Sequence, residues 1–213
     1  MSLFASILRL DRAAHRRLNI TDPYSLHRVV YSLFEDVRSD AEKNRHISSG
    51  ILYADQGGDW RGRQIVLLSD REPRQPSDEE ALEIKTRPIP PAFLEHEAYR
   101  FKVIMNPTRQ ADGKKIPIKG REAIAEWFCQ RAPMNWGFGV ARNSIAVTRI
   151  EVLQFKKRET DASITLAQAH IEGRLQVKDR ILFQTAFRRG IGRGHAFGCG
   201  LLQIEPLQFS LLD

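Results

Sequence analysis

In the stretch "DPYSLHRVVYSLFED", residues 22–36, Tyr24 and His27 stand three residues apart, with Arg28 directly after them. At 100° per residue, Leu26, Val29, Val30, Leu33, Phe34 and Val37 fall on one apolar arc, and Tyr24, His27, Arg28 and Tyr31 fall on the other side. Histidine can both take and give a proton near neutrality, and a tyrosine one helical turn away can hydrogen-bond whatever the imidazole touches. Such a pair suits cleavage of an RNA strand by its own 2'-hydroxyl, in which one group removes that proton and another protonates the departing 5'-oxygen. The ends left would be a 2',3'-cyclic phosphate and a 5'-hydroxyl, and Arg28 would face the phosphorane-like charge. A solvated helix face also carries such residues, so the pair by itself leaves both readings open.

Other chemistries find less support. The six histidines (His15, His27, His46, His96, His170 and His195) are scattered, and no H-E-x-x-H occurs. Asp78, Glu79 and Glu80 are adjacent, which spreads them around a helix as a solvated first turn. No metal ligand set and no cofactor are expected. The glycine-rich "GIGRGHAFGCG", residues 190–200, leaves a predicted helix and enters a predicted strand. That is the reverse of a dinucleotide or P-loop fingerprint. It is either a turn that needs positive φ angles or a bare backbone that can approach a phosphodiester, with Arg193 and His195 adding charge.

Cations gather elsewhere in the same half of the chain. Residues 1–91 hold 14 basic and 14 acidic side chains, whereas residues 92–213 hold 19 and 12, so the net charge of +7 lies in the second half. A field concentrated on one part of a molecule suits a polyanion partner, and a solvated basic surface would carry the same charge. In "NPTRQADGKKIPIKGR", Arg109, Lys114, Lys115 and Lys119 read as an exposed loop, and "QFKKR" places Lys156, Lys157 and Arg158 before a hairpin tip, "ETDA". Aromatic residues are sparse there, which favours tracking the backbone of a folded RNA over stacking on bases.

The elements that must position these groups follow from periodicity. "LFASILRL" reads as a strand, Pro23 to about Val37 as a helix capped by Asp22, and "GILYADQGG" and "RQIVLLSD" as strands about a turn. Residues 71–91 hold five of the ten prolines and read as a short helix, an edge strand and a linker. The second half repeats the order: strand "YRFKVIMNPTR", helix "REAIAEWFCQRA", two long strands, helix "RILFQTAFRRG" ended by Gly190, and strand "LLQIEPL". Two βαββαβ copies predict an α+β chain of two tandem ferredoxin-like domains, residues 1–91 and 92–213, with antiparallel sheets. Cys129 and Cys199 are too few for a disulfide framework, and the N-terminus reads as a first strand, not a signal peptide. With no apolar run near membrane-spanning length, a cytoplasmic location without membrane contact is expected.

Several pieces also resemble a known family in its own order: "YSLHRVVYSLF" (24–34), "EIKTR" (83–87), "FKVIMNPTR" with "GKK" (101–115), "IEGRLQV" (171–177) and "GIGRGHAFGCGLL" (190–202). The chain resembles the CRISPR-associated CasE family, the repeat-cleaving endoribonucleases of the type I-E Cascade complex. The resemblance implies tandem ferredoxin-like domains, recognition of a CRISPR repeat stem-loop, cleavage at the base of its stem, and retention of the product beside other Cascade subunits. The family's Tyr-x-x-His pair falls on Tyr24 and His27. The family's glycine loop commonly carries lysine where this chain has His195, which makes a phosphate contact there sensitive to pH. A non-catalytic hairpin-RNA-binding subunit on the same scaffold is the alternative, and a protein-interaction domain with a basic face is a third.

Overall fold

Alternation in "FASILRL" buries Ser6, Leu8 and Leu10 and leaves Ala5, Ile7 and Arg9 on the other face of strand β1, Phe4–Leu10. A computed structural model of the chain describes residues 2–39, 48–59, 62–76, 82–111, 113–156 and 163–207. The chain forms two units, Met1–Ile89 with His195–Gly198, and Pro90–Gly194 with Cys199–Asp213.

In the first unit β1 is followed by helices α1 (Arg12–Arg17) and α2 (Pro23–Ser32) and strands β2 (Ile51–Asp59), β3 (Gly62–Ser69) and β4 (Leu82–Pro88). The four strands lie in the order β2-β3-β1-β4, every pairing antiparallel, with Leu8 opposite Ile65 on one side and Ile84 on the other. Leu26, Val29 and Val30 of α2, with Leu33 after it, join Leu8, Leu10, Tyr53, Ile65 and Leu67 of the sheet in one core. Burying a side chain such as Leu33 contributes about 2 kcal/mol. The expected short helix before β4 falls on residues 77–81, outside the described residues, as do Asp78, Glu79, Glu80 and His46.

Helix α2 starts as its sequence requires: the Asp22 side chain accepts from the Ser25 amide at 2.7 Å, and Pro23 occupies the first turn. It ends earlier than the apolar arc suggests. The Leu33 and Phe34 amides bond back three residues, and Arg74 donates to the carbonyls of Ser32 and Leu33, so the last turn tightens and stops. Val37, expected on the apolar arc, is consequently 65% exposed. Tyr31, expected to face away from the core, packs partly against it.

The second unit holds β5 (Ala98–Met105), a ribbon of β6 (Thr108–Ala111) and β7 (Lys114–Pro117), helix α3 (Arg121–Trp136), the short β8 (Phe138–Gly139), β9 (Ile145–Lys156), β10 (Ser163–Val177), helix α4 (Arg180–Arg189) and β11 (Gln203–Pro206). Its order is β11-β5-β10, with β9 along the other edge of β10, again antiparallel throughout. Leaving aside the β6–β7 ribbon and β8, the fourth strand lies beside the first, then the third, then the second. The first unit has the same order. Both units are therefore ferredoxin-like sheets with helices on one face. Because β5 pairs with β10 only over 169–176, the far ends of β9 and β10 continue as a two-stranded arm. Within residues 106–121, expected as an exposed loop, Thr108–Ala111 and Lys114–Pro117 instead pair as the β6–β7 ribbon, closed at its base by the Ile118 amide on the Pro107 carbonyl. Among the described residues no helix is long and apolar enough to cross a membrane.

Candidate active site

Because α2 fixes Tyr24, His27 and Tyr31 at helical spacing, their rings line up along one side. The His27 ring centroid lies 4.0 Å from that of Tyr31 and 6.3 Å from that of Tyr24. All three side chains are half-buried, and Arg28 is exposed beside them. The Tyr31 hydroxyl is hydrogen-bonded to Ser49 Oγ at 2.9 Å, which anchors the ring that packs, tilted by 43°, against the imidazole. A second support comes from distant sequence. The turn His195–Phe197 packs against α2 and β2, and the Tyr53 hydroxyl donates to the Ala196 carbonyl at 2.8 Å. Gly198 makes this approach feasible: its φ is +79°, and a Cβ there would stand 3.2 Å from the Tyr53 ring.

These surroundings bias the imidazole toward its neutral form. Burial lowers the His27 pKa below its ordinary 6.5, the nearby Ala196 carbonyl partly opposes this, and the positive charge of Arg38 lowers it further. Arg38 is itself held by Asp36, with Nε at 3.0 Å and Nη2 at 3.2 Å from its carboxylate. His27 Nδ1 is buried and meets no hydrogen-bond partner among the described residues. A neutral histidine with aromatic rings on both sides is suited to accept a proton from a hydroxyl. Replacing Tyr53 with Phe frees the Ala196 carbonyl to interact with the imidazole. The expected outcome is a rise in the His27 pKa, followed by NMR titration of the ring, with stability lowered by about 1 kcal/mol for the lost bond.

The other sequence-predicted residues are spread over both units. His195 is half-buried in the turn that packs on α2, whereas Arg193 is exposed in the second unit, so the glycine loop is divided between the two. Gly190, Gly192, Gly194, Gly198 and Gly200 all have positive φ, which accounts for the glycines as turn residues. Arg109, Lys114, Lys115 and Lys119 are exposed on the β6–β7 ribbon and just past it, and they make no ion pair among the described residues. Cross-strand register puts Arg109 and Lys114 on one face of the ribbon and Lys115 on the other. Lys156 is exposed at the end of β9, and Lys157 and Arg158 lie outside the described residues.

Sequence reasoning missed Ser49, Tyr53, Ala196 and Arg38. Tyr31 was legible, since it stands four residues after His27. Among the described residues, no three His, Cys, Asp or Glu side chains converge as a metal site. Cys199 is buried, and its thiol is pushed up to about 12, so it behaves as a packed side chain.

The chain thus has two ferredoxin-like units, with a histidine between two tyrosines on α2 of the first. The family model described as "CRISPR associated protein" matches residues 3–206, and the chain belongs to that family. It is 27% identical over 206 residues to the CRISPR-associated endoribonuclease Cse3 of Thermus thermophilus, covering 92% of this chain and 95% of that protein. The structure of Thermus thermophilus Cse3 bound to an RNA representing a pre-cleavage complex superposes with a TM-score of 0.78 at 24% identity, over 97% of this chain and 100% of that one. A chain of a CRISPR RNA-guided surveillance complex matches with a TM-score of 0.68 at 17% identity, over 96% and 100%.

Proposed function

We propose that the protein is the endoribonuclease that processes CRISPR precursor RNA, cutting at the base of the repeat hairpin and keeping the product in a Cascade-type complex in the cytoplasm. The observation that carries the reading is His27, packed against Tyr31 with ring centroids 4.0 Å apart and biased toward its neutral form, in a chain of this family. His27 takes the proton of the 2'-hydroxyl as that oxygen attacks the adjacent phosphorus. The bond from phosphorus to the 5'-oxygen breaks, and that oxygen leaves with a proton. Tyr24 orients the nucleotide or the imidazole, and Arg28 offsets charge on the phosphorane-like transition state. The depressed pKa supports His27 as general base. The exposed cations of the second half hold the hairpin, with Arg193 and His195 contacting phosphate. The proposed cut uses a neutral imidazole and no bound cofactor.

Incubation with a synthetic repeat hairpin in excess EDTA tests this reading: one cut is expected, with a 2',3'-cyclic phosphate and a 5'-hydroxyl. Tight binding without a cut would favour a subunit that only holds RNA. The pH profile tests the role of His27. A base with a depressed pKa gives a rate that is flat above pH 6.5 and falls as pH drops through the lowered value. An acid in the same place would give the opposite slope.

A further inference from the structure

The even charge balance of residues 1–91 hides a local excess in "RLDRAAHRR", residues 9–17. Four of the nine residues are arginine, and the one carboxylate, Asp11, is turned onto the helix, where it accepts from the Ala14 amide at 2.6 Å. Ala14 faces the core, and Arg12, Arg16 and Arg17 are exposed. Four other arginines of this unit sit against carboxylates, Arg9 on Glu83, Arg38 on Asp36, Arg63 on Asp55 and Arg71 on Asp70, while Arg28 and Arg87 stand singly and exposed. Arg12, Arg16 and Arg17 make no ion pair among the described residues.

The helix itself does not account for this arrangement. Arg16 and Arg17 suit the negative C-terminal end of a helix, but Arg12 stands at the positive end and repels Arg16 four residues on. His15 Nε2 lies 3.3 Å from Arg63 Nη1, and since a guanidinium only donates, the imidazole takes that bond as acceptor. The outward charge of α1 therefore rests on guanidinium groups, the side chain best matched to phosphate oxygens. The connector to α2 is pinned by the Asn19 amide on the Arg16 carbonyl and the Ile20 amide on the His15 carbonyl. Chain geometry then keeps Arg17 within about 25 Å of His27.

We infer that Arg12, Arg16 and Arg17 of α1 form a second phosphate-binding surface, which takes the backbone of the single-stranded RNA that continues past the scissile phosphate. The inference rests on the proposed function. A strand cut at the base of a stem leaves the stem at the unit that carries His27, and α1 is a cluster of three arginines, without an ion pair among the described residues, just ahead of His27 in the chain.

The test compares the wild type, an Arg12→Gln/Arg16→Gln/Arg17→Gln variant and the matching triple Lys variant. Each is titrated, across a salt series, with a repeat hairpin trimmed to its stem and with the same hairpin carrying single-stranded flanks. For the flanked RNA, the Gln variant is expected to bind about tenfold more weakly near 0.1 M salt, and its slope of log K against log salt is expected to fall by about 2. The trimmed hairpin should bind all three proteins alike, and the Lys variant should keep most of the slope. Equal loss on both RNAs, or no change on either, would overturn the surface. A wild type that binds neither RNA would overturn the functional reading itself.

Discussion

Replacing His27 with alanine is expected to slow cleavage by about 10²- to 10⁴-fold, the usual worth of a positioned proton-transfer group. The Kd for the hairpin should stay within about twofold, because a neutral, half-buried imidazole contributes little to phosphate binding. The fold should persist, since the half-buried His27 is not one of the side chains of α2 that build the core, which are Leu26, Val29 and Val30. Single-turnover rates and filter-binding titrations on the same preparations separate the two effects. Equal loss of binding and turnover would reduce His27 to a contact residue and return weight to the RNA-holding alternative.

The second large effect concerns the β6–β7 ribbon. Arg109, Lys114, Lys115 and Lys119 are exposed and make no ion pair among the described residues, so little competes with phosphate for them. If all four neutralise phosphates, their joint replacement by Gln lowers the salt slope by about 3. Between 50 and 200 mM salt the wild type would then lose about 60-fold more affinity than the variant. Cleavage of bound RNA should proceed at nearly the wild-type rate, because the ribbon belongs to the unit that does not carry His27. An unchanged slope would remove the ribbon from the binding set. The arginines of α1 offer a separate slope component, distinguished by the trimmed hairpin.

Much of this was legible in the sequence because it is local. The Asp22–Pro23 helix start, the period-two alternation of β1 and the three-residue spacing of Tyr24 and His27 depend on neighbours only. The ribbon was harder to see: Asn106, Pro107 and Gly113 advertise turns, and strands of four residues are too short for alternation to stand out. Helix α1 escaped for a similar reason, being six residues long, with its charge cancelled by acidic residues elsewhere in the same half. The supports of His27 were beyond reach. Ser49 meets Tyr31 across 18 residues and Ala196 meets Tyr53 across 143, and no spacing rule links such positions. The short α2 has the same origin, since Arg74 ends it from 42 residues away.

The central claim is that the RNA's own 2'-hydroxyl, deprotonated by His27, cuts the strand. Replacing that one hydroxyl with hydrogen at the scissile nucleotide tests it most directly. The account predicts a hairpin bound as tightly as the unmodified RNA and left uncut. Cleavage of the deoxy substrate at the same bond would mean that water or another nucleophile attacks, and would contradict the mechanism.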